Sequence, residues 1–538
     1  MTTPPLDLEA AARRWRQQWG ESQVDDAGQA QRRYGRDTTG AERRLLGAVR
    51  ATGQAQVVEV MRTAHELGLA VHPISTGKNW GYGSALPAGH DCLLLDLGGM
   101  TGLDFDAVQG VVTVEPGVTQ EALARFLDED PAGPHPFLVP VTGAGPGTSL
   151  LSNALERGYG VTPIVDHFAA VTDIEAVLAD GTVYRGMLRE AAGPELARLF
   201  RWGLGPQTMG LFTQSGFGVV TRMSILLARR PQALCVGLFS LRDAGLLGPA
   251  VEAIRDILQR TPGVVGAINL MNRHRVLSMS APYPWDALNS QGVIPEAVVE
   301  AMGREYQIFP WTGFCTLYGT PGMVRAAQRE IKSRLKGLAS RLMFVTPQRA
   351  QTLHALSRLL PGKMGQRLQA LTGTLRKSLD LVAGRPNETA LPLAYWRNRS
   401  GAASTPRDPA ADGCGLLWYA PLVPMTAAAA ASYEDLVRST TARHGLEPLI
   451  TFTTLSDRLF DSTVPLLFDA QAPGARERAW ACYDELLHRG RERGFFPYRM
   501  PVDAMPQLRQ LAPQASAFND RLARALDPQR RVAPGRYY

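Results

Sequence analysis

Apolar side chains recur at helical spacing at Val57, Val60, Met61, Ala64, Leu67 and Leu69, which predicts an amphipathic helix over 55–68. The apolar stretch Ala70 to Ile74 reads as a strand and runs directly into Ser75-Thr76-Gly77-Lys78-Asn79-Trp80-Gly81-Tyr82-Gly83-Ser84. Three glycines and several small residues there leave backbone N–H groups free to approach a ligand. A buried strand is expected at Cys92 to Leu97, and two short alternating runs, about 103–107 and 111–115, read as a hairpin. A helix follows from Thr119, its expected N-cap, to about 128. Asp180-Gly181 between apolar runs signals a second hairpin. From about 232 to 496 helical segments alternate with strands, and 384–415, rich in Gly, Pro, Ala and Arg, reads as a long loop. The pattern is that of an α+β protein.

A chain of 538 residues exceeds what one hydrophobic core normally supports, so at least two domains are expected. Its 45% hydrophobic and 20% charged residues mark an ordinary globular chain. No apolar run of the length that spans a membrane occurs. Arg13-Arg14 is followed by Gln17 and Gln18, where an export signal needs an apolar core, so export is not expected. Five cysteines, odd in number, far apart and without CxxC spacing, fit a reduced, cytoplasmic setting. The net charge of +7 is scattered, with no basic run interleaved with aromatics, which argues against a nucleic-acid partner and leaves a mild pull on anionic substrates.

Generic motifs exclude more than they assign. Gly143-Ala144-Gly145-Pro146-Gly147-Thr148 departs from the GxGxxG fingerprint and lacks the downstream acid of a nicotinamide fold. There is no P-loop and no GxSxG elbow, and the nine histidines show no metal-binding spacing, so no metal is expected.

A series of segments in fixed order is more specific. These are Pro73-Ile74-Ser75-Thr76-Gly77-Lys78-Asn79-Trp80-Gly81-Tyr82-Gly83, then Thr148 to Gly158 (TSLLSNALERG), and then Thr162-Pro163-Ile164-Val165-Asp166-His167. Gly210 to Thr221 (GLFTQSGFGVVT), Tyr498-Arg499 and Ala533-Pro534-Gly535-Arg536 complete the set. Taken together the chain resembles the flavoprotein family of vanillyl-alcohol oxidase, eugenol oxidase and p-cresol methylhydroxylase. The resemblance implies an FAD-binding domain of two α+β subdomains, 1–231 with a C-terminal return at 497–538, and an α+β cap over 232–496. It implies FAD contacts at Ser75, Thr76, Gly77, Lys78, Asn79, Gly81, Gly83, Ser149, Asn153, His167, Gly218, Val220 and Arg536. Taken alone, Gly77, Gly81 and Gly83 read equally well as a plain tight turn.

The same resemblance implies a para-substituted phenol as substrate, oxidised by hydride transfer from the benzylic carbon through a p-quinone methide. A free phenol ionises near pH 10, and only the phenolate pushes enough electron density to the para carbon for hydride to leave. A guanidinium and two tyrosine hydroxyls suit that anion, and the matching positions are Tyr82, Tyr498 and Arg499. Asp166 matches an acid near the reacting carbon, where it would stabilise developing charge or act as base; as a bare residue it reads as a turn or helix cap. Thr451 matches a structural position near the flavin. Leu416 falls where relatives carry the histidine bonded to flavin, so non-covalent FAD is expected, with Tyr395 the one nearby tyrosine for a covalent link. The arginines of the long loop, Arg385, Arg397, Arg399 and Arg407, place positive charge over the cap entrance or form a solvated face. The first option points to a carboxylated phenol and oxidative decarboxylation. O2 or another electron acceptor is the expected second partner, and a homodimer is left open. Two other readings stand beside this one: a flavin oxidase of the same fold acting on an alcohol or sugar, and a non-catalytic flavin-binding protein.

Overall fold

A computed structural model describes residues 7–131, 133–359, 362–401 and 403–537, with only the backbone described at 363, 364, 366, 367, 370 and 371. The N-terminal stretch before residue 7 lies outside the described residues, and Arg13, Arg14 and Gln17 fall in the helix Leu8–Trp19.

Three principal sheets organise the described residues. The first runs Val24–Asp25, Leu45–Arg50, Cys92–Asp96 and Ala70–Ile74, parallel except at its first pairing. The helix Gln54–Leu67 crosses from its second strand to Ala70–Ile74 and buries Val57, Val60, Met61 and Ala64, the apolar stripe read from the sequence. It stops because Gly68 takes the left-handed conformation at φ 65°, which costs glycine little. The second sheet is antiparallel, in the order Leu103–Asp106, Val111–Val114, Val219–Leu226, Val171–Val177 and Val183–Arg185. Thr119 caps Gln120–Asp128 by accepting the N–H of Ala122, and Asp180-Gly181 turns the hairpin as expected.

The third sheet carries nine strands drawn from residues 233–497. Its central strands are Val265–Asn272, Thr451–Thr454 and Leu459–Phe468, in register so that Asn269, Thr453 and Asp461 lie side by side on one face. The opposite face sends Leu270, Phe452 and Phe460 into the largest core, against the helices Leu247–Arg260, Ala427–Arg443 and Ala475–Glu492. Segment 384–415, expected as plain loop, contains a short 3-10 helix at Leu391–Tyr395 that buries Leu391, Leu393 and Ala394.

The C-terminal tail returns to the first sheet. Val532 bridges Val71 in parallel, with Val71 N–H donating to Arg531 and Ala533 N–H donating to Val71. Val532 is fully buried in that sheet's core, which fixes Arg536 near the loop following Ala70–Ile74.

Candidate active site

The loop after Ala70–Ile74 forms one wall of a cleft. Its other walls are Ser149, Ser152, Asn153 and Glu156 around the helix Leu150–Leu155, Gly218 and Val220 at the start of Val219–Leu226, and Arg499, Ala533 and Arg536. The backbone N–H groups of Thr76, Gly77, Lys78 and Asn79 donate no hydrogen bond among the described residues. Such groups are costly to leave unpaired except beside a ligand or water. Three cations, Lys78, Arg499 and Arg536, face one carboxylate, Glu156, in this cleft. Free N–H groups under a net positive charge fit a dianionic diphosphate, so the residues present suit the FAD that the sequence implies. Gly77 needs its φ of 66°, and a methyl group there would press on Ala85 at 3.3 Å.

Of the expected cofactor residues, Ser75, Thr76, Gly77, Lys78, Asn79, Ser149, Asn153, Gly218, Val220 and Arg536 line the cleft. Ser75 Oγ donates to Ser152 Oγ at 2.8 Å across it. The others stand behind the lining. Gly81, at φ 79°, lies against Trp418, whose Cδ1 would be 2.2 Å from an added Cβ, and Gly83 packs on Val502 in the same way. His167 Nδ1 meets Asn153 Oδ1 at 2.5 Å, and burial pushes its pKa down to about 4, so the ring is neutral.

Tyr82, Tyr498 and Arg499 come together, with Arg499 on the lining of the cleft. The Arg499 guanidinium stacks over the Tyr82 ring at 4.2 Å, holds Asn79 Oδ1, and has Nε 3.0 Å from Glu156. Glu156 also pairs with Arg536, so it anchors both cations. Burial pushes the Tyr82 and Tyr498 hydroxyls well above their ordinary range, with Arg499 pulling the other way.

Two residues the sequence reading missed complete the cluster. The ring of Tyr159 lies 6.1 Å from that of Tyr498, and its hydroxyl donates to Asp461 Oδ2. Asp461 is fully buried, its Oδ1 has no hydrogen-bond partner, and burial raises its pKa to about 7. Asn269 Oδ1 and Thr451 Oγ1, in the neighbouring strands, are likewise buried without a partner. A row of unsatisfied oxygens on one sheet face is expensive unless a ligand meets it.

Asp166 departs from expectation. Its side chain is exposed and accepts the Ala169 N–H at 3.0 Å, capping the 3-10 helix Phe168–Ala170, while only its backbone bridges Tyr159. The turn-capping reading describes it, and the buried carboxyl of the cluster is Asp461.

The loop arginines are also engaged. Arg407 pairs with Glu388 at 3.0 Å, Arg399 lies 3.7 Å from Asp469 and over Trp285, Arg397 donates to the Gly445 carbonyl, and Arg385 lies 3.9 Å from both Asp128 and Asp380. They form a paired face and supply no free charge over the cleft. Tyr395 donates its hydroxyl to Asp412 at 2.6 Å and does not line the cleft. Leu416 is buried in strand Gly415–Tyr419, in a cluster with Trp80, Leu277 and Leu391.

Comparison with known proteins gives the same picture. A family described as an FAD binding domain matches residues 46–186. The chain is 32% identical to 1'-carboxy-chondrochloren decarboxylase of Chondromyces crocatus, over 100% of this chain and 98% of that protein. It is 27% identical to the 4-cresol dehydrogenase [hydroxylating] flavoprotein subunit of Pseudomonas putida, covering 91% of this chain and 87% of that one. Among solved structures, p-cresol methylhydroxylase with substrate bound superposes with a TM-score of 0.85 at 24% identity, over 98% of this chain and 96% of that one. The 4-ethylphenol oxidase of Gulosibacter chungangensis superposes with a TM-score of 0.86 at 22% identity, covering 100% of this chain and 98% of that one. These two likenesses are of fold. No helix of the described residues is long and apolar enough to cross a membrane.

Proposed function

The chain belongs to the vanillyl-alcohol oxidase and p-cresol methylhydroxylase family of FAD-dependent oxidoreductases, and from that premise we propose that it oxidises a para-substituted phenol at the benzylic carbon. The observation that carries this reading is the guanidinium of Arg499, on the lining of the FAD cleft, stacked on Tyr82 next to Tyr498. Bound FAD supplies a hydride acceptor. Arg499, Tyr82 and Tyr498 bind the substrate oxygen as phenolate, because a fixed cation and two hydroxyl donors favour the charged form in a site shielded from water. The benzylic carbon attached at the para position then gives up hydride, leaving a p-quinone methide in the substrate.

We assign proton handling to Asp461 rather than Asp166. Raised to about 7 by burial, Asp461 exchanges a proton near neutral pH, and Tyr159 links it to the tyrosines beside the phenol. Thr76–Asn79, with Lys78 and Arg536, hold the diphosphate. FAD is held without a covalent link, since Leu416 offers no nucleophile and Tyr395 is bonded to Asp412. Residues 1–231 and 497–538 make the FAD-binding domain and 232–496 the cap, and five unpaired buried cysteines suit the cytoplasm. The decarboxylase of Chondromyces crocatus, similar end to end, supports loss of CO2 as the fate of the quinone methide.

Anaerobic mixing of the holoenzyme with para-alkylphenols, benzylic alcohols lacking the hydroxyl, and aldoses tests this. Bleaching of the flavin by the phenols alone is expected. Bleaching by the alcohols or sugars at equal rates overturns it, and no bleaching by any of them points to a binding protein.

A further inference from the structure

We propose that Arg275 binds the carboxylate of a substrate whose other end is the phenolate at Arg499. The proposal rests on the phenol reading above and names the second recognition element of the same site.

Arg275 belongs to the helix Arg273–Ser280, which follows directly on Asn272, the last residue of the strand Val265–Asn272 that also carries Asn269. The side chain is only 9% exposed, and its Nε and Nη1 are buried with no hydrogen-bond partner. Among the described residues no carboxylate pairs with it. The two arginines that line the cleft are matched, Arg499 and Arg536 both by Glu156. A buried guanidinium with idle donors is among the most costly arrangements in a protein interior, unless an anion arrives to meet it.

The neighbours place it in the site. The guanidinium lies 5.7 Å from the Trp418 ring, Trp418 presses on Gly81, and the next residue is Tyr82 under Arg499. Leu277, two residues on in the same helix, packs with Trp80, Leu391 and Leu416 in one apolar cluster. On the other side Tyr159 is near enough to interact electrostatically with the guanidinium; burial pulls the Arg275 pKa down to about 10, which leaves it charged at neutral pH. Two cations, one matched by Glu156 and stacked on the phenol-binding tyrosine, one idle across an aromatic wall, suit a phenol with a carboxylate on its para side chain.

The chemistry balances for a 3-(4-hydroxyphenyl)propanoate. Hydride passes from the benzylic carbon to FAD, and the substrate becomes a quinone methide with its carboxylate intact. The bond to the carboxylate then breaks; its electron pair forms the vinyl double bond and restores the aromatic phenolate, and CO2 leaves. No external base is needed, and the flavin is the oxidant. Arg275 acts as a positioning residue: it fixes the carboxylate so that the breaking bond lies across the ring plane.

The test compares three phenols with the holoenzyme, the acid 3-(4-hydroxyphenyl)propanoate, its amide and 4-ethylphenol, by anaerobic flavin reduction and by mass spectrometry of the product. The wild type is expected to show an apparent Kd for the acid at least 30-fold below that for the amide, and to release 4-vinylphenol, the acid less CO2 and two hydrogens. Arg275→Met should erase that preference, and Arg275→Lys should restore part of it. Equal Kd values for acid and amide in the wild type, or an equal loss for both in Arg275→Met, overturn the proposal while leaving the phenol reading in place. The wild-type comparison needs no variant, so it decides even if Arg275→Met does not fold. Reduction by none of the three overturns the phenol reading itself, and this one with it.

Discussion

Arg499 and Asp461 carry opposite burdens, and each makes a measurable prediction. Arg499, matched by Glu156 and fixed by Asn79, is the cation that the proposed reading puts at the phenol end. Removing a buried partner of an anion costs about 2–5 kcal/mol, so Arg499→Ala should slow anaerobic flavin reduction by roughly 30- to 5000-fold. The FAD absorbance of the purified variant should persist, because Thr76–Asn79 and Arg536 still hold the diphosphate. Asp461 titrates against the fold. Its folded pKa, raised by burial to about 7, lies above the ordinary carboxylate value. The folded protein therefore binds the extra proton between about pH 4 and 7, and the carboxyl's contribution to stability is lost as pH rises through 7. A three-unit shift corresponds to at most on the order of 4 kcal/mol. Thermal melts of the holoenzyme at pH 5 and pH 8 should show a drop in the wild type that Asp461→Asn largely removes; equal drops in both would exclude the assignment. Neither Asp461 nor Arg275 announced itself in the sequence, for different reasons. Asp461 stands in Leu459–Phe468, a strand buried on nearly every position, where a lone acid was the available signal. Arg275 follows Arg273 and His274 and looks like a surface turn, and only the packing of its helix under the sheet buries it.

The turn after Ala70–Ile74 and the strand Gly415–Tyr419 are coupled through one contact. Gly81 takes a φ of 79° and leaves no room for a side chain against Trp418. Gly81→Ala combines left-handed strain, about 1–3 kcal/mol, with displacement of the indole. It should lower the melting temperature and the FAD content on purification, and unaltered values of both would show that the contact is slack. On the proposed reading, Leu416 of that strand stands where relatives carry a flavin-bonded histidine. Acid or heat precipitation should therefore release all the flavin to the supernatant, whereas fluorescence retained by the polypeptide on a denaturing gel would reveal a covalent link. These local features were legible in advance where short-range chemistry governs them: the helix Gln54–Leu67, the Thr119 cap and the Asp180-Gly181 turn follow from spacing and cap residues alone. The 3-10 helix Leu391–Tyr395 was not, because its Leu391 and Leu393 are buried by residues far away in sequence. Of the loop arginines, read either as charge over the cap entrance or as a solvated face, Arg385, Arg399 and Arg407 lie beside Asp128, Asp380, Asp469 and Glu388, and Arg397 donates to backbone carbonyls, partners that only the folded chain brings near.

Two sheets and a returning tail converge on one cleft: the first sheet presents the loop after Ala70–Ile74, the second Gly218 and Val220, and the tail Arg536. The third sheet's face bearing Asn269, Thr451 and Asp461 is joined to the tyrosine cluster by Tyr159, whose hydroxyl donates to Asp461 and whose ring lies beside Tyr498. The cleft was legible at Gly77, Gly218 and Arg536, which line it where close approach of backbone sets strict requirements, whereas Gly81 and Gly83 stand behind it against Trp418 and Val502. On the proposed reading, Tyr82, Tyr498 and Arg499 of the substrate half come from resemblance, and Tyr159, Asp461 and Arg275 join them through strand register and helix packing that no short motif encodes. The proposed chemistry depends on the phenolate. Anaerobic stopped-flow reduction by 4-ethylphenol, set against its O-methyl ether, 4-ethylanisole, tests this directly. The two share the benzylic carbon and the hydrocarbon body, but the ether cannot ionise. Bleaching by the phenol at a rate at least 100-fold above that of the ether is predicted; equal rates would contradict phenolate activation by Arg499, Tyr82 and Tyr498.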